Sequence, residues 1–115
     1  MATPVRSFAD SFPVAKPVRM DDLIDYGDDA IVSRTLARTE AGTLTLFAFS
    51  AGQGLSEHTA PFDAFVQVVE GHLELVVDGK KVVAQAGENV LMPASIPHAV
   101  NATVNAKMLL FMLKR

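Results

Sequence analysis

The stretch that decides the fold runs from Gly52 to Gly71 and reads GQGLSEHTAPFDAFVQVVEG. His58 follows the first glycine after five intervening residues, and a run of β-branched and aromatic residues leads up to the last glycine. A second stretch, GENVLMPASIPHAVNA, runs from Gly87 to Ala102 and carries His98. Short apolar runs bounded by glycine and proline are typical of strands and turns. The two stretches therefore predict a β-rich region with one histidine in each half.

The spacing within both stretches resembles that of the cupin superfamily, whose motifs are G-x5-H-x-H-x3-E-x6-G and G-x5-P-x-G-x2-H-x3-N. Every interval is intact, and six identities are present: Gly52, His58, Gly71, Gly87, Pro93 and His98. The other positions differ: Ala60 replaces the second histidine, Ala64 the glutamate, Ser95 the second-motif glycine and Ala102 the final asparagine. The resemblance implies an all-β, single-domain, cupin-like double-stranded β-helix, or jelly-roll barrel, with an N-terminal arm.

The pattern of the remaining chain also predicts strands separated by turns. Asp78-Gly79, between β-branched runs, predicts a two-residue hairpin because both positions favour positive φ. Strands are predicted at residues 30–37, 43–50, 65–69, 73–77, 81–84, 89–92, 98–103 and 107–113. About nine short strands in total indicate a closed barrel or a double-sheet jelly roll. We predict an N-terminal arm and connector at residues 1–29 and the cupin barrel at residues 30–115.

Composition and charge exclude several classes of protein. The chain has 115 residues, enough for one domain, and its net charge of −3 gives no basic footprint for nucleic acid or anionic lipid. It has no cysteine, which excludes disulfides, thiolate metal ligands and a cysteine nucleophile. Residues 1–20 do not form the apolar core of a signal peptide, and no apolar run approaches the roughly twenty residues of a spanning helix. We therefore expect a cytoplasmic protein with no nucleic-acid or membrane partner.

Hydropathy predicts self-association. The mean hydropathy of +0.27 is high for a small domain, whose surface fraction is large. Residues 107–113 are apolar on both faces of the predicted last strand, which suits either a doubly covered strand or a dimer face. Half of the six prolines lie in the first twenty residues, so the arm is expected to pair with a sheet edge or cross to another subunit. A homodimer is the expected assembly.

The resemblance also implies a metal site. In metal-binding cupins the two histidines and the glutamate of the first motif converge with the histidine of the second motif on a divalent cation. Only His58 and His98 remain here, so they are the implied metal ligands, with Zn, Fe, Mn or Ni as the cation. Asp63 and Gln67 are the nearest polar residues, but strand alternation places them on the face opposite Ala64.

The two alanines predict a roomier and more apolar cavity, lined by Ala60, Ala64, Val66 and Met92. Three hypotheses remain open: a weak metal site completed by water or substrate, a metal-free site for a small molecule, or a histidine pair bonded to itself or to backbone with no ligand. As an enzyme the protein would be a metal-dependent oxygenase or isomerase. As a binding module it would hold a small apolar or carboxylated molecule. No catalytic residue is assigned, because no serine or threonine has a base at triad spacing.

Overall fold

The computed structural model describes residues 7–114 and places nine strands in two antiparallel sheets. The strands are β1 Ile31–Thr39, β2 Gly42–Phe49, β3 Gly54–His58, β4 Phe62–Glu70, β5 His72–Val77, β6 Lys80–Gln85, β7 Asn89–Met92, β8 His98–Asn101 and β9 Ala106–Lys114. One sheet has the order β1-β2-β9-β4-β7 and the other the order β3-β8-β5-β6. This arrangement confirms the all-β jelly-roll prediction.

The turn between β5 and β6 shows how local sequence fixes the register. Asp78 and Gly79 both have positive φ, of 50° and 78°, as a two-residue hairpin of the predicted kind requires. Val77 and Lys80 pair across this turn, so residues 73 and 75 fall on the inner face. The predicted hairpin is confirmed.

The core between the two sheets follows from strand alternation. Inward-facing residues of both sheets are almost completely buried and form one cluster: Phe49, Ala64, Val66, Val68, Leu73, Leu75, Ala84, Met92, Val100, Ala102, Ala106 and Met108. Burial of each large apolar side chain stabilises a fold by about 1.5–3 kcal/mol. The cluster therefore holds the two sheets together.

A second cluster covers the outer face of the five-stranded sheet. Leu36, Leu46 and Leu109 point away from the barrel and are buried there by the N-terminal segment, whose contacting residues include Phe12, Met20, Leu23 and Tyr26. A short 3-10 helix, Met20–Asp22, lies in this segment. The apolar pattern on both faces of β9 is thus explained partly within one chain, since Met108 faces the core and Leu109 faces the segment.

The N-terminal arm pairs with the edge of its own sheet. Phe8 forms a β-bridge with Ala37, and the Ala9 N–H donates to the Leu36 carbonyl at 2.8 Å. Of the two alternatives for the arm, edge pairing is the one that the structure contains. Residues 1–6 and 115, which belong to the predicted arm and barrel, lie outside the described residues. Within residues 7–114, no helix is long and apolar enough to cross a membrane.

Candidate metal centre

The strand that carries His58 was not among the predicted segments. Strand β3 reads GLSEH, and this composition gives little strand signal because Leu55 is its only apolar side chain. Leu55 is also the only partly buried residue of the strand. It pairs with β8, and His58 stands directly opposite His98. The two histidines are therefore cross-strand neighbours, which brings the two sequence motifs together.

A bulge in β3 turns His58 towards the pocket. Leu55 pairs with Val100, and His58 pairs with His98. Between these two pairs β3 has two residues and β8 has one, so β3 contains one extra residue. Strict alternation after Leu55 would place Glu57 on the inner face. The additional residue moves His58 there instead, because a bulge shifts every later side chain by one position.

The two imidazoles approach each other through their Nε2 atoms. These atoms lie 3.1 Å apart, and the ring centroids are 4.4 Å apart with the ring planes at 70°. His98 is 5% exposed, whereas His58 is exposed. The separation falls within the roughly 3–4 Å that two nitrogens need to ligate one ion.

Backbone carbonyls fix the tautomer of both rings. The His58 Nδ1–H donates to the Ser56 carbonyl at 2.8 Å, and the His98 Nδ1–H donates to the Ile96 carbonyl at 3.1 Å. A carbonyl can only accept, so each neutral ring has its proton on Nδ1 and a lone pair on Nε2. Two lone pairs that face each other need a proton or a cation between them. Histidines that bind metals have the same Nδ1 support.

The geometry suits one cation, but the family's full ligand set is absent. With metal–nitrogen bonds of about 2.0–2.1 Å, a separation of 3.1 Å gives an N–metal–N angle of about 95–102°, between octahedral and tetrahedral values. Ala60 and Ala64 supply no donor, and among residues 7–114 no group of three or more His, Asp or Glu side chains could hold a metal. The retained residues fit half of the site that the family motif implies.

The pocket around the histidines is small. Its volume is about 40 Å³, and its lining consists of Leu55, His58, Ala60, Ala64, Met92, His98, Val100, Met108, Leu110 and Met112. Pockets for small molecules measure about 300–1,000 Å³, while a cavity needs about 10–15 Å³ to hold one water. The expectation of a roomy cavity is wrong, because methionine and leucine side chains occupy the space that the alanines leave. A space of this size has room for an ion with a water and is too small for an ordinary organic ligand.

Three of the four predicted lining residues do line the pocket: Ala60, Ala64 and Met92. Val66 does not, although it shares the inner face of β4 with Ala64. Its side chain is fully buried in the core, since it pairs with Val90 and Leu110 one row deeper. Sequence reasoning missed Met108 and Met112. Residues 108–113 are apolar at both odd and even positions, so the two-residue period of β9 does not single out these two methionines.

Polar residues near the site support the loop that carries His98. The Asp63 carboxylate accepts a hydrogen bond from the Ala94 N–H at 2.9 Å, and the Ser95 N–H donates to the Ala60 carbonyl at 2.8 Å. Ser95 has a φ of 65° and so keeps the backbone conformation that the motif's glycine would adopt. Asp63 therefore positions the loop from the far side of β4, as strand alternation predicts. His72 lies elsewhere, with its Nε2 3.3 Å from the Thr103 hydroxyl.

A larger cleft adjoins the pocket at Met112. Its volume is about 250 Å³, and its lining consists of Arg38, Thr39, Gly42, Thr43, Phe62, Met112 and Lys114. Arg38 and Lys114 give it two cationic side chains, and the threonines add hydroxyl groups. Met112 lines both spaces, so the pocket and the cleft meet at this residue.

Comparison with known proteins agrees with this architecture. A conserved protein of unknown function from Streptococcus pyogenes is 29% identical, with a TM-score of 0.89 over 97% of this chain and 98% of that one. A cupin superfamily protein from Desulfitobacterium hafniense is 24% identical, with a TM-score of 0.87 over 92% and 97% of the two chains. A cupin 2 conserved barrel domain protein from Leptotrichia buccalis is 39% identical, with a TM-score of 0.79 over 82% of this chain and 46% of that one.

The chain spans about half the length of the Leptotrichia protein. No functionally curated protein matches the chain. The family model described as the cupin domain matches residues 45–113, which include both motifs and six complete strands. With this match and the jelly-roll topology, the chain belongs to the cupin superfamily.

Proposed function

We propose that this small cupin binds one transition-metal ion through the Nε2 atoms of His58 and His98. The observation that carries the proposal is the pair of facing Nε2 atoms, 3.1 Å apart, with the Nδ1 atom of each ring at hydrogen-bond distance from a backbone carbonyl. Imidazole suits Zn, Fe, Ni and Cu, so two such ligands attach a divalent ion weakly, with water completing the shell. Zn, Fe, Mn and Ni are the divalent ions to test.

The cleft beside Met112 is the place for an organic ligand. The pocket itself has room for an ion and a water, whereas the cleft of about 250 Å³ approaches the size of small-molecule sites. Arg38 and Lys114 favour an anion, so a small carboxylate is the proposed ligand class. A metal-dependent oxygenase or isomerase would use both spaces. The alternative function, a metal-free binding module without catalysis, would use the cleft alone.

Calorimetric titration tests the metal proposal. Wild-type protein, freed of metal, should bind Zn and Ni with one ion per chain. His58→Ala and His98→Ala should each lower the affinity at least about tenfold, because one imidazole is a poor ligand set. His72→Ala is the matched control, since His72 is the third histidine of the chain and lies outside the pocket.

The control variant should bind as the wild type does. Absence of binding in the wild type, or equal affinity in His58→Ala, would contradict the two-histidine centre. If the protein binds no metal but does bind a small carboxylate, and Arg38→Ala or Lys114→Ala weakens that binding, the metal-free binding module is the correct function.

A further inference from the structure

Three of the five methionines in the chain line the small pocket that contains the two histidines: Met92, Met108 and Met112. Among the side chains that line it, the only nitrogen or sulfur atoms belong to the histidines and these methionines, and no side-chain oxygen is present. Among residues 7–114, any further side-chain donor that this pocket adds to the imidazoles is therefore a thioether.

The sheet register places two of these thioethers beside the lost carboxylate position. Ala64 pairs directly with Met92 on β7 and with Met112 on β9. Directly opposed residues share one face of a sheet, with Cβ atoms about 4.5–5.5 Å apart. Ala64 stands where the cupin motif has its glutamate ligand. A hard oxygen donor has thus been removed from a row that now has a soft sulfur donor on each side.

Donor chemistry decides which ion such a set prefers. Carboxylate and water suit Mg, Ca and Mn, imidazole suits Zn, Cu, Fe and Ni, and thioethers select Cu(I). The N–metal–N angle of about 95–102° that follows from the 3.1 Å separation is far from linear, so a bound Cu(I) ion would need further ligands. The row Met92–Ala64–Met112 has two thioether side chains that line the same pocket as the imidazoles.

We propose that the preferred ion of this pocket is Cu(I), held by His58 and His98 and by the thioethers of Met92 and Met112. The proposal rests on the two-histidine centre described above and adds its soft ligands. Methionine also fills irregular gaps in protein cores, and packing alone would explain the same residues. The two explanations differ in what happens to Cu(I) affinity when sulfur is replaced at constant volume.

The test is a competition experiment under anaerobic conditions with a coloured Cu(I) chelator, run beside a Zn(II) titration. Met92→Leu combined with Met112→Leu removes both sulfurs while keeping the side-chain volume, which cores tolerate well. The double variant should bind Cu(I) at least about tenfold more weakly than the wild type, with Zn(II) affinity changed less than about threefold. Met20→Leu is the matched control, because Met20 packs in the outer cluster.

A second measurement uses the wild-type protein and needs no folded variant. With methyl-labelled methionine and Ag(I) as a diamagnetic substitute for Cu(I), the methyl resonances of Met92 and Met112 should shift on addition of one equivalent, and that of Met20 should not. Absence of these shifts, or a double variant that keeps its Cu(I) affinity, overturns the thioether ligands. His58→Ala separates the two proposals, since unchanged affinity for both ions in that variant overturns the histidine centre itself.

Discussion

Ala64 occupies the inward-facing position where the cupin motif has a glutamate, and its neighbours explain how so small a side chain is accommodated. It is 2% exposed and lies between Met92 and Met112 in one row of the sheet. Methionine has three rotatable bonds and fills gaps that a stiffer residue would leave open. The side chains of Met92 and Met112 therefore occupy part of the space that the missing carboxylate leaves, and the pocket that remains is small.

The intervals of the family motif are intact, and Ala60 and Ala64 both line the histidine pocket, so restoring the ligands should restore divalent metal binding. Ala60→His with Ala64→Glu gives three imidazoles and a carboxylate around one point. We expect the double variant to bind Zn, Mn and Ni at least about tenfold more tightly than the parent, about 1.4 kcal/mol or more. Part of the gain is offset by crowding against the methionines. Calorimetric titration measures the difference.

The control adds the same two side chains where they cannot converge. Ala41→His with Ala86→Glu places them on exposed turns. This variant should bind like the parent. If Ala60→His with Ala64→Glu shows no gain, the retained spacing no longer corresponds to a ligand geometry, and the pocket has been rebuilt around the methionines.

At the scale of elements, the N-terminal segment is attached to the sheet by a polar cluster. The Tyr26 hydroxyl donates to the Glu70 carboxylate, and the ammonium group of the buried Lys107 lies 3.5 Å from the same carboxylate. Lys107 also donates to the Asp21 carbonyl at 2.6 Å and lies 4.9 Å from the centroid of the Tyr26 ring. Buried charges need such partners. The cluster fixes residues 21–26 over the outer face of β9.

Alkaline pH should weaken this attachment. Burial raises the pKa of Tyr26 above its ordinary value of 10.0, and the hydrogen bond to Glu70 and its negative charge raise it further. The folded state thus keeps the phenolic proton at a pH where the unfolded chain has lost it. This contribution to the free energy of unfolding is complete below about pH 10 and decreases as the pH rises above it.

Tyr26 is the only tyrosine of the chain, so tyrosinate absorbance measures its ionisation directly. We expect ionisation well above pH 10 in the folded protein. The free energy of unfolding of the wild type should fall faster above that pH than that of Tyr26→Phe, which has no proton to lose. If Tyr26 ionises near its ordinary pKa of 10.0 in the folded protein, neither burial nor the Glu70 carboxylate raises that pKa, and the prediction is wrong.

The elements also show which parts of the site are encoded locally. The hairpin at Asp78-Gly79 follows from turn chemistry and was predicted from the residues themselves, whereas the inward position of His98 was implied by the motif resemblance. The inward position of His58 depends on a bulge in a polar strand, and the motif resemblance anticipated what periodicity could not. The size of the pocket depends on how Met108 and Met112 pack from β9, a contact distant in sequence that no local pattern specifies.

For the whole molecule, the outer face of the five-stranded sheet is only partly covered by the N-terminal segment. Beyond that cover, large apolar side chains are exposed: Phe65, Leu91, Phe111 and Leu113. Phe65 and Phe111 pair across strands, with ring centroids 6.3 Å apart in an edge-on arrangement. Exposed contiguous apolar surface of this kind marks interaction sites. The homodimer predicted from hydropathy stays a prediction, and this is the face at which we expect the second copy.

A two-fold dimer through this face would bring the same patch of both chains together. We expect the wild type to sediment as a dimer at micromolar concentration, with about 1,200 Å² or more buried in total. Phe111→Lys should give a monomer with unchanged strand content, because the residue is exposed and outside the core. Leu109, the neighbouring outward residue on β9, is unsuitable for this test since it is buried beneath the N-terminal segment.

Val83→Lys is the matched control for the dimer. Val83 is 56% exposed on β6 of the opposite sheet, so the same substitution there adds a charge without touching the proposed interface. It should leave the sedimentation of the dimer unchanged. A wild type that sediments as a monomer at micromolar concentration would rule out the homodimer. Dissociation of the dimer by Val83→Lys but not by Phe111→Lys would move the interface to the four-stranded sheet, away from the exposed phenylalanine pair.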